Sequence, residues 1–220
     1  MSTAVYLSYS ISKRTPVYGN NNGISIKPDK NISNGDSCNT MVWHFSSHTG
    51  THVDVPRHFA PHGKTITDYP PDFWIFNKIE VIDISDSIFD RQVIEPEIFP
   101  AFRTCDPELI LFHTGYGKLR ETDRYTLTPP GFSENVYYWL KANYPSVRCI
   151  GMDIISISGF CNREEGRKAH KAFLAPEQGG SILLIEDMKL NFPCNFKQVL
   201  VVPLLVENAD GSPCTVIGII

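Results

Sequence analysis

Short apolar runs, separated by clusters of Gly, Pro, Asn, Asp and Ser, dominate the pattern of this chain. Runs of this length, rich in β-branched residues and bounded by turn formers, predict strands. They fall at 4–11, 41–45, 79–85, 109–113, 149–153, 181–185, 197–206 and 214–219. Between the last two, Asp210 and Gly211 give a hairpin signal. Phe132, Val136, Trp139 and Leu140 form a one-sided stripe at spacings of three to four. That spacing predicts a helix over 133–144, with Ser133 as N-cap and Pro145 as its stop. A second helix is expected over 163–173. The polar stretch 18–36 reads as a long surface loop, a type that often covers a binding site. Strands outnumber helices without regular βα alternation, which predicts a mixed α+β fold. No linker, repeat or low-complexity tract divides 1–220, so one domain is expected.

Composition narrows the classes of function. The chain has 220 residues, 42% of them hydrophobic and 20% charged, as expected of a globular protein with a real core. A net charge of −4 gives no electrostatic reason to expect nucleic acid. No apolar run approaches the roughly 20 residues that span a bilayer, so neither a nucleic-acid nor a membrane partner is expected. The first ten residues lack the basic and apolar regions of an export signal, which makes the cytoplasm the expected location. Cys38, Cys105, Cys149, Cys161, Cys194 and Cys214 are scattered without a C-x-x-C pair, and read as free packing thiols rather than zinc ligands.

Chemistry concentrates in one place. Between positions 48 and 58 stand His48, His52, Asp54 and His58, in a chain with seven histidines. All four positions are even-numbered and Val53 and Val55 lie between them, so an extended segment would aim the polar groups one way and the valines into the core. Gly50 leaves room for a ligand and Pro56 stiffens the backbone. Imidazole and carboxylate donors without thiolate suit Zn²⁺, and also Mn²⁺ or Fe²⁺. Three protein ligands leave a position open, which is the catalytic arrangement; zinc there lowers the pKa of water to about 7 and polarises a carbonyl. The remaining histidine suits proton delivery to a leaving group, because its pKa lies near working pH. His44 and His62 flank the segment and read as incidental.

Other candidates carry less. Asp153, at a strand end, either orients a ligand histidine or caps a turn. Tyr116 and Trp43 are pocket or core aromatics, with core the commoner role. The charge run 163–168 reads as a solvated helix face or a lid. No G-x-S-x-G elbow supports a serine hydrolase, and 20–23 lacks the strand-then-helix setting of a phosphate loop.

The pattern H-x-G-T-H-x-D-x-P-x-H, strict across His48 to His58, resembles the signature of the cyclase-like metal-dependent hydrolases, the family of bacterial kynurenine formamidase and isatin hydrolase. Weaker likeness runs through Thr15-Pro16-Val17-Tyr18, Gly151 to Ser156, Ala169 to Leu174, the apolar strand running into Glu186, and the hairpin at 209–213. The resemblance implies a swivelling β/β/α fold, commonly built into homodimers, and a hydrolase acting on a small-molecule substrate. It implies an arylformamidase-like enzyme that cleaves the carbon–nitrogen bond of a small aromatic amide, with opening of another cyclic amide, ester or lactone as the alternative. A metal-binding protein without catalysis is the rival of a different class. By the same resemblance, one or two divalent ions, zinc first and manganese second, are held by His48, His52 and Asp54, with His170 and Glu186 completing a second site and His58 as the acid/base group. Asp187 and Glu177 compete with Glu186. Two departures stand out: the stretch 171–185 is longer than the family pattern, and His113 replaces the more usual Arg or Lys before Thr-Gly, which bears on substrate recognition.

Overall fold

The computed structural model describes residues 3–20, 23–191 and 195–220. Among the described residues, thirteen strands and three α-helices follow one another. Strands β1 (Ala4–Tyr6), β2 (Ser25–Lys30), β3 (Thr40–His44) and β4 (His52–Asp54) come first, then β5 (Ile75–Phe76), β6 (Ile79–Asp83), β7 (Val93–Ile94) and β8 (Leu109–His113). Helix α1 (Asp123–Leu127), β9 (Gly131–Phe132), helix α2 (Glu134–Asn143), β10 (Cys149–Met152) and helix α3 (Arg163–Leu174) follow. β11 (Leu183–Glu186), β12 (Gln198–Pro203) and β13 (Gly211–Ile219) close the chain.

Nine strands form one sheet in the order β5-β12-β13-β4-β11-β10-β8-β6, with β1 added to β13. One half, β6, β8, β10 and β11, is parallel. The other half is antiparallel. β4 joins the halves, antiparallel to β11 on one side and to β13 on the other. The parallel strands are continuous apolar runs because both their faces are covered, and Leu109, Ile110, Leu111, Phe112 and Ile150 are fully buried. Helices α2 and α3 pack against each other and supply Val136, Tyr137, Leu140 and Phe173 to the same core. The mixed α+β architecture is the one the apolar pattern predicts.

Several elements fall close to their predicted places: β8 coincides with its run, and α2 and α3 lie within a residue of theirs. The stretch 18–36 departs from its reading as a loop. It contains a tight turn at Tyr18–Asn20 and β2, which pairs with β3 as a hairpin standing apart from the main sheet. Lys27, Asp29 and Lys30 made β2 look polar because both its faces are largely exposed. The short helix α1 carries too few apolar residues to show a period. Cys149 and Cys214 are buried and Cys38, Cys105 and Cys161 exposed, all free thiols; Cys194 lies outside the described residues. No helix is long and apolar enough to cross a membrane among the described residues.

Candidate metal centre

The central strand β4 carries two of the six candidate residues. His52 and Asp54, two apart, project from the same face, while Val53 between them is fully buried on the other. His48 and His58 arrive differently from the predicted continuous strand. His48 precedes a turn in which Gly50 holds φ +65°, a conformation that a side chain would strain. His58 ends a helical turn opened by Pro56. The four groups still converge, but through a turn, a strand and a helical turn rather than through alternation alone.

The neighbouring strand supplies Glu186, which pairs in register with His52 across β4 and β11. Its Oε1 accepts from the Ile157 N–H (2.7 Å) and the Ser156 hydroxyl (3.1 Å), and this fixes the carboxylate. Helix α3 supplies His170. Gly166 lets the helix settle against Ser158, since a Cβ there would lie 2.1 Å from the serine hydroxyl oxygen. The His170 Nδ1–H donates to the Gly166 carbonyl at 3.0 Å, with the Ser158 hydroxyl also at 3.0 Å. That bond turns Nε2 toward the floor, 3.7 Å from Asp54 Oδ2 and 3.7 Å from Glu186 Oε1.

All six candidates therefore meet around Asp54. His48 Nδ1 lies 2.8 Å from Asp54 Oδ1. His52 Nε2 lies 3.3 Å from the same oxygen and 3.4 Å from Glu186 Oε2. Donor atoms of His52, Asp54 and Glu186 fall within 4.8 Å of one another, as do those of His48, Asp54 and His58. Asp187 points elsewhere, in a bidentate pair with Arg120 and accepting from the Tyr125 hydroxyl, and Glu177 is exposed. Of the three competing carboxylates, Glu186 is the one beside Asp54.

Asp210 is the residue that sequence reasoning missed. Its Oδ2 lies 2.9 Å from His48 Nε2 and 3.0 Å from His58 Nδ1, so one carboxylate ties two histidines together. In sequence it reads as a turn residue of the last hairpin; the Asp-Gly pair was visible, but not that the turn folds back over the histidines. Asp153 takes the turn-capping role, accepting from the Thr114 N–H and hydroxyl and from the Gly117 N–H. Tyr116 is core, its hydroxyl on Asp90 and the Thr128 carbonyl. Trp43 is 64% exposed on the hairpin. His113 sits against Asp83, outside the cavity that the histidines line, so its departure from the family pattern does not touch this site.

Electrostatics favours a cation here. Burial alone would lower the His48 pKa, yet the Asp54 charge and the hydrogen bonds of Asp210 and Asp54 outweigh it and raise the value to about 9. Burial likewise opposes charge on His52 and His170, and Asp54 and Glu186 overcome it, so both are raised. Asp54 is held well below the carboxylate range despite its burial, because His48 and His52 stand beside it. The His52 Nδ1–H donates to the Gly50 carbonyl at 2.8 Å. Its Nε2 is buried without a hydrogen-bond partner. An orphaned imidazole nitrogen between two carboxylates fits a divalent ion, whose N- and O-donors these are. Hydrogen bonds at the other ring nitrogens fix the His52 and His170 imidazoles, as such bonds commonly do for metal-binding histidines.

The centre forms the floor of an open cavity of about 710 Å³. Tyr18, Phe59, Ile155 and Phe160 form apolar walls, and Arg163 and Arg167 line it as well. The charge run 163–168 thus turns two of its cations toward the site.

Comparison with known proteins identifies the family and the fold. A family model described as "Putative cyclase" matches residues 5–158. The chain is 27% identical over 220 residues to cyclase-like protein 2 of Oryza sativa subsp. japonica, covering 94% of this chain and 75% of that protein. It is 26% identical over 221 residues to a kynurenine formamidase of Geobacillus thermodenitrificans, covering 97% and 95%. Isatin hydrolase A from Labrenzia aggregata superposes with a TM-score of 0.79 at 19% identity, over 100% of this chain and 94% of that one. A potential metal-dependent hydrolase with cyclase activity gives 0.76 at 19% identity, over 100% and 98%. These structural likenesses show the cyclase-like swivelling β/β/α fold.

Proposed function

This chain belongs to the putative cyclase family, and from that premise we propose that it is a metal-dependent hydrolase cleaving the carbon–nitrogen bond of a small aromatic amide, as its kynurenine formamidase relatives are named to do. The observation that carries this reading is the meeting of His48, His52, Asp54, His170 and Glu186 on the floor of an aromatic-walled cavity, with His58 beside them.

His48, His52 and Asp54 would hold one ion, and Asp54, His170 and Glu186 a second. Zinc is the first choice for this donor set and manganese the second. When bound, a divalent ion lowers the pKa of water toward neutrality and polarises the scissile carbonyl. The chain's own residues do the rest. Phe59, Ile155, Phe160 and Tyr18 offer apolar walls against which a flat ring would pack. With its Nδ1–H donated to Asp210, His58 has Nε2 free to take up a proton from the attacking water and pass it to the departing nitrogen. Asp210 holds the ring in that tautomer and orientation. Although His58 also lies within reach of an ion shared with His48 and Asp54, its bond to Asp210 supports the acid/base role. The proposal includes a homodimer and a cytoplasmic location.

The test is turnover of formyl-aryl amides beside isatin and simple lactones, with metal content measured before and after chelation. Formyl-amide hydrolysis that chelation abolishes and metal restores is the expected result. Hydrolysis of isatin or lactones alone would move the chain to the ring-opening alternative. His58→Ala should keep the metal and lose roughly 10²–10⁴-fold in kcat; undiminished turnover would remove His58 from the chemistry.

A further inference from the structure

Four residues far apart in the chain form a closed ring of contacts behind the metal centre. Arg120, which follows β8, donates through Nε and Nη2 to the two oxygens of Asp187, at 2.8 and 2.7 Å. The Asp187 carbonyl accepts from the Thr51 hydroxyl at 2.6 Å, and that hydroxyl oxygen accepts from the Tyr9 N–H at 3.0 Å. The Tyr9 ring closes the circuit, its centre 4.0 Å from the Arg120 guanidinium carbon. Thr51 and Asp187 are each 2% exposed, so a bond lost here is not replaced by bulk water.

None of the four belongs to the donor set, yet two are its neighbours in the chain. Thr51 precedes His52, and Asp187 follows Glu186. The antiparallel ladder between β4 and β11 ends at the pair His52–Glu186. One residue beyond it, Asp187 takes φ +51°, a left-handed conformation that a residue with a side chain keeps only where its surroundings hold it. Arg120 and the Tyr125 hydroxyl hold its carboxylate, while Thr51 and the Ile154 carbonyl hold its backbone. A strand end without such support opens locally. Opening here would change the separation of His52 Nε2 and Glu186 Oε2, which is 3.4 Å.

We propose that Arg120 is a positioning residue of the metal centre: acting through Asp187 and Thr51, it holds the strand ends that carry His52 and Glu186 at a fixed separation. Arg120 itself lies outside the cavity lining. Without the guanidinium, the Asp187 side chain is released, the strained turn relaxes, and the Thr51 hydroxyl loses its acceptor. This rests on the metal-dependent hydrolase reading above and adds to it a residue that touches neither ion nor substrate.

Cobalt(II) titration of the metal-free protein reads the effect without turnover, since affinity and visible spectrum both report ligand geometry. Arg120→Gln should weaken the Kd by about 10- to 100-fold, the usual cost of removing a bond behind a ligand, and shift the visible bands. Should that variant fail to fold, Arg120→Lys, which keeps the charge without the two-point grip, takes its place with the same expectation. Thr51→Val removes the hydroxyl and should weaken the Kd similarly, while Thr51→Ser keeps the hydroxyl and should keep the parent Kd. Because both residues act through one ring, Arg120→Gln/Thr51→Val should cost no more than the larger single change. Arg124→Gln breaks an exposed arginine–aspartate pair elsewhere and should leave Kd and spectrum as they are. In turnover of a formyl-aryl amide, Arg120→Gln should lower kcat with little change in KM. A variant that merely folds poorly binds cobalt in fewer chains, at the parent Kd and with the parent spectrum. That result overturns the proposal, as do additive losses in the double variant, Thr51→Ser as weak as Thr51→Val, or an equal loss in Arg124→Gln. A parent protein that binds cobalt but turns over no amide ends the hydrolase reading alone, and the Kd values and spectra still decide the ring. A parent that takes up no cobalt ends both.

Discussion

One oxygen of Asp210 serves two imidazoles, and this sharing governs how His48 and His58 behave. The hydrogen bonds from His48 and His58 hold the Asp210 carboxyl well below the usual range, so it stays charged at any working pH. Asp210→Asn removes that charge while nearly preserving shape. It should lower kcat by about tenfold or more, within the span of acid–base assistance, with little change in KM. Steady-state kinetics beside metal analysis checks this; an unchanged kcat would show that His58 needs no such anchor. His48, raised to about 9, carries its proton at neutral pH in the metal-free protein. An ion can use its nitrogen only after that proton leaves, so metal affinity should rise with pH from 6 to 9, each ion releasing protons. Calorimetry in buffers of different ionisation enthalpy measures the release, and a pH-independent affinity would argue against His48 as a ligand.

At the scale of elements, two packing contacts decide whether the donors meet. Helix α3 approaches the 156–159 turn because Gly166 has no side chain, and His170 is positioned by that approach. Gly166→Ala should cost about 1–3 kcal/mol of stability, the usual penalty of overpacking a tight contact. It should also weaken the ion that His170 helps hold; urea denaturation and metal titration read the two effects separately. On the other side, the end of β11 is pinned where Asp187, at φ +51°, turns its carboxylate to Arg120 and Tyr125. Its carbonyl accepts from the Thr51 hydroxyl at 2.6 Å, tying β11 to the residue before His52. Arg120→Leu would strand a buried carboxylate, and breaking such a pair costs about 3–5 kcal/mol. A fall below 1 kcal/mol would mean that water reaches Asp187 freely.

For the whole molecule, the β2–β3 hairpin needs cover. A two-stranded ribbon is marginal by itself, and this one exposes Met41, Val42 and Trp43 beside a groove shared with Val202 and Leu204. Leu205 and Val206 extend the apolar strip. The proposed homodimer would bury it. Sedimentation should show a dimer at micromolar concentration, and Trp43→Glu with Leu204→Glu should give a folded monomer; a monomeric parent protein would refute the assignment.

What the chain alone determined follows from short-range rules. Period and turn residues placed β8, α2 and α3, because each is a local apolar run whose neighbours stop it. The spacing of His48, His52, Asp54 and His58 pointed to a cluster of metal-competent donors, since those donors need few residues between them. Resemblance to a family then reached His170 and Glu186. Tertiary structure alone decided the rest. Asp210 stands 152 residues from His58 in sequence and 3.0 Å away in space, and no local pattern encodes such a meeting. Arg163 and Arg167 looked like a solvated charge run because the seat of α3 depends on Gly166 meeting Ser158. The stretch 18–36 looked like loop because β2 is held by pairing with β3 rather than by a buried face. Local sequence fixes which backbone shape each segment prefers, but long-range packing chooses which side chains share a cavity, and here that choice gathered the histidines, the carboxylates and the α3 arginines around one cavity.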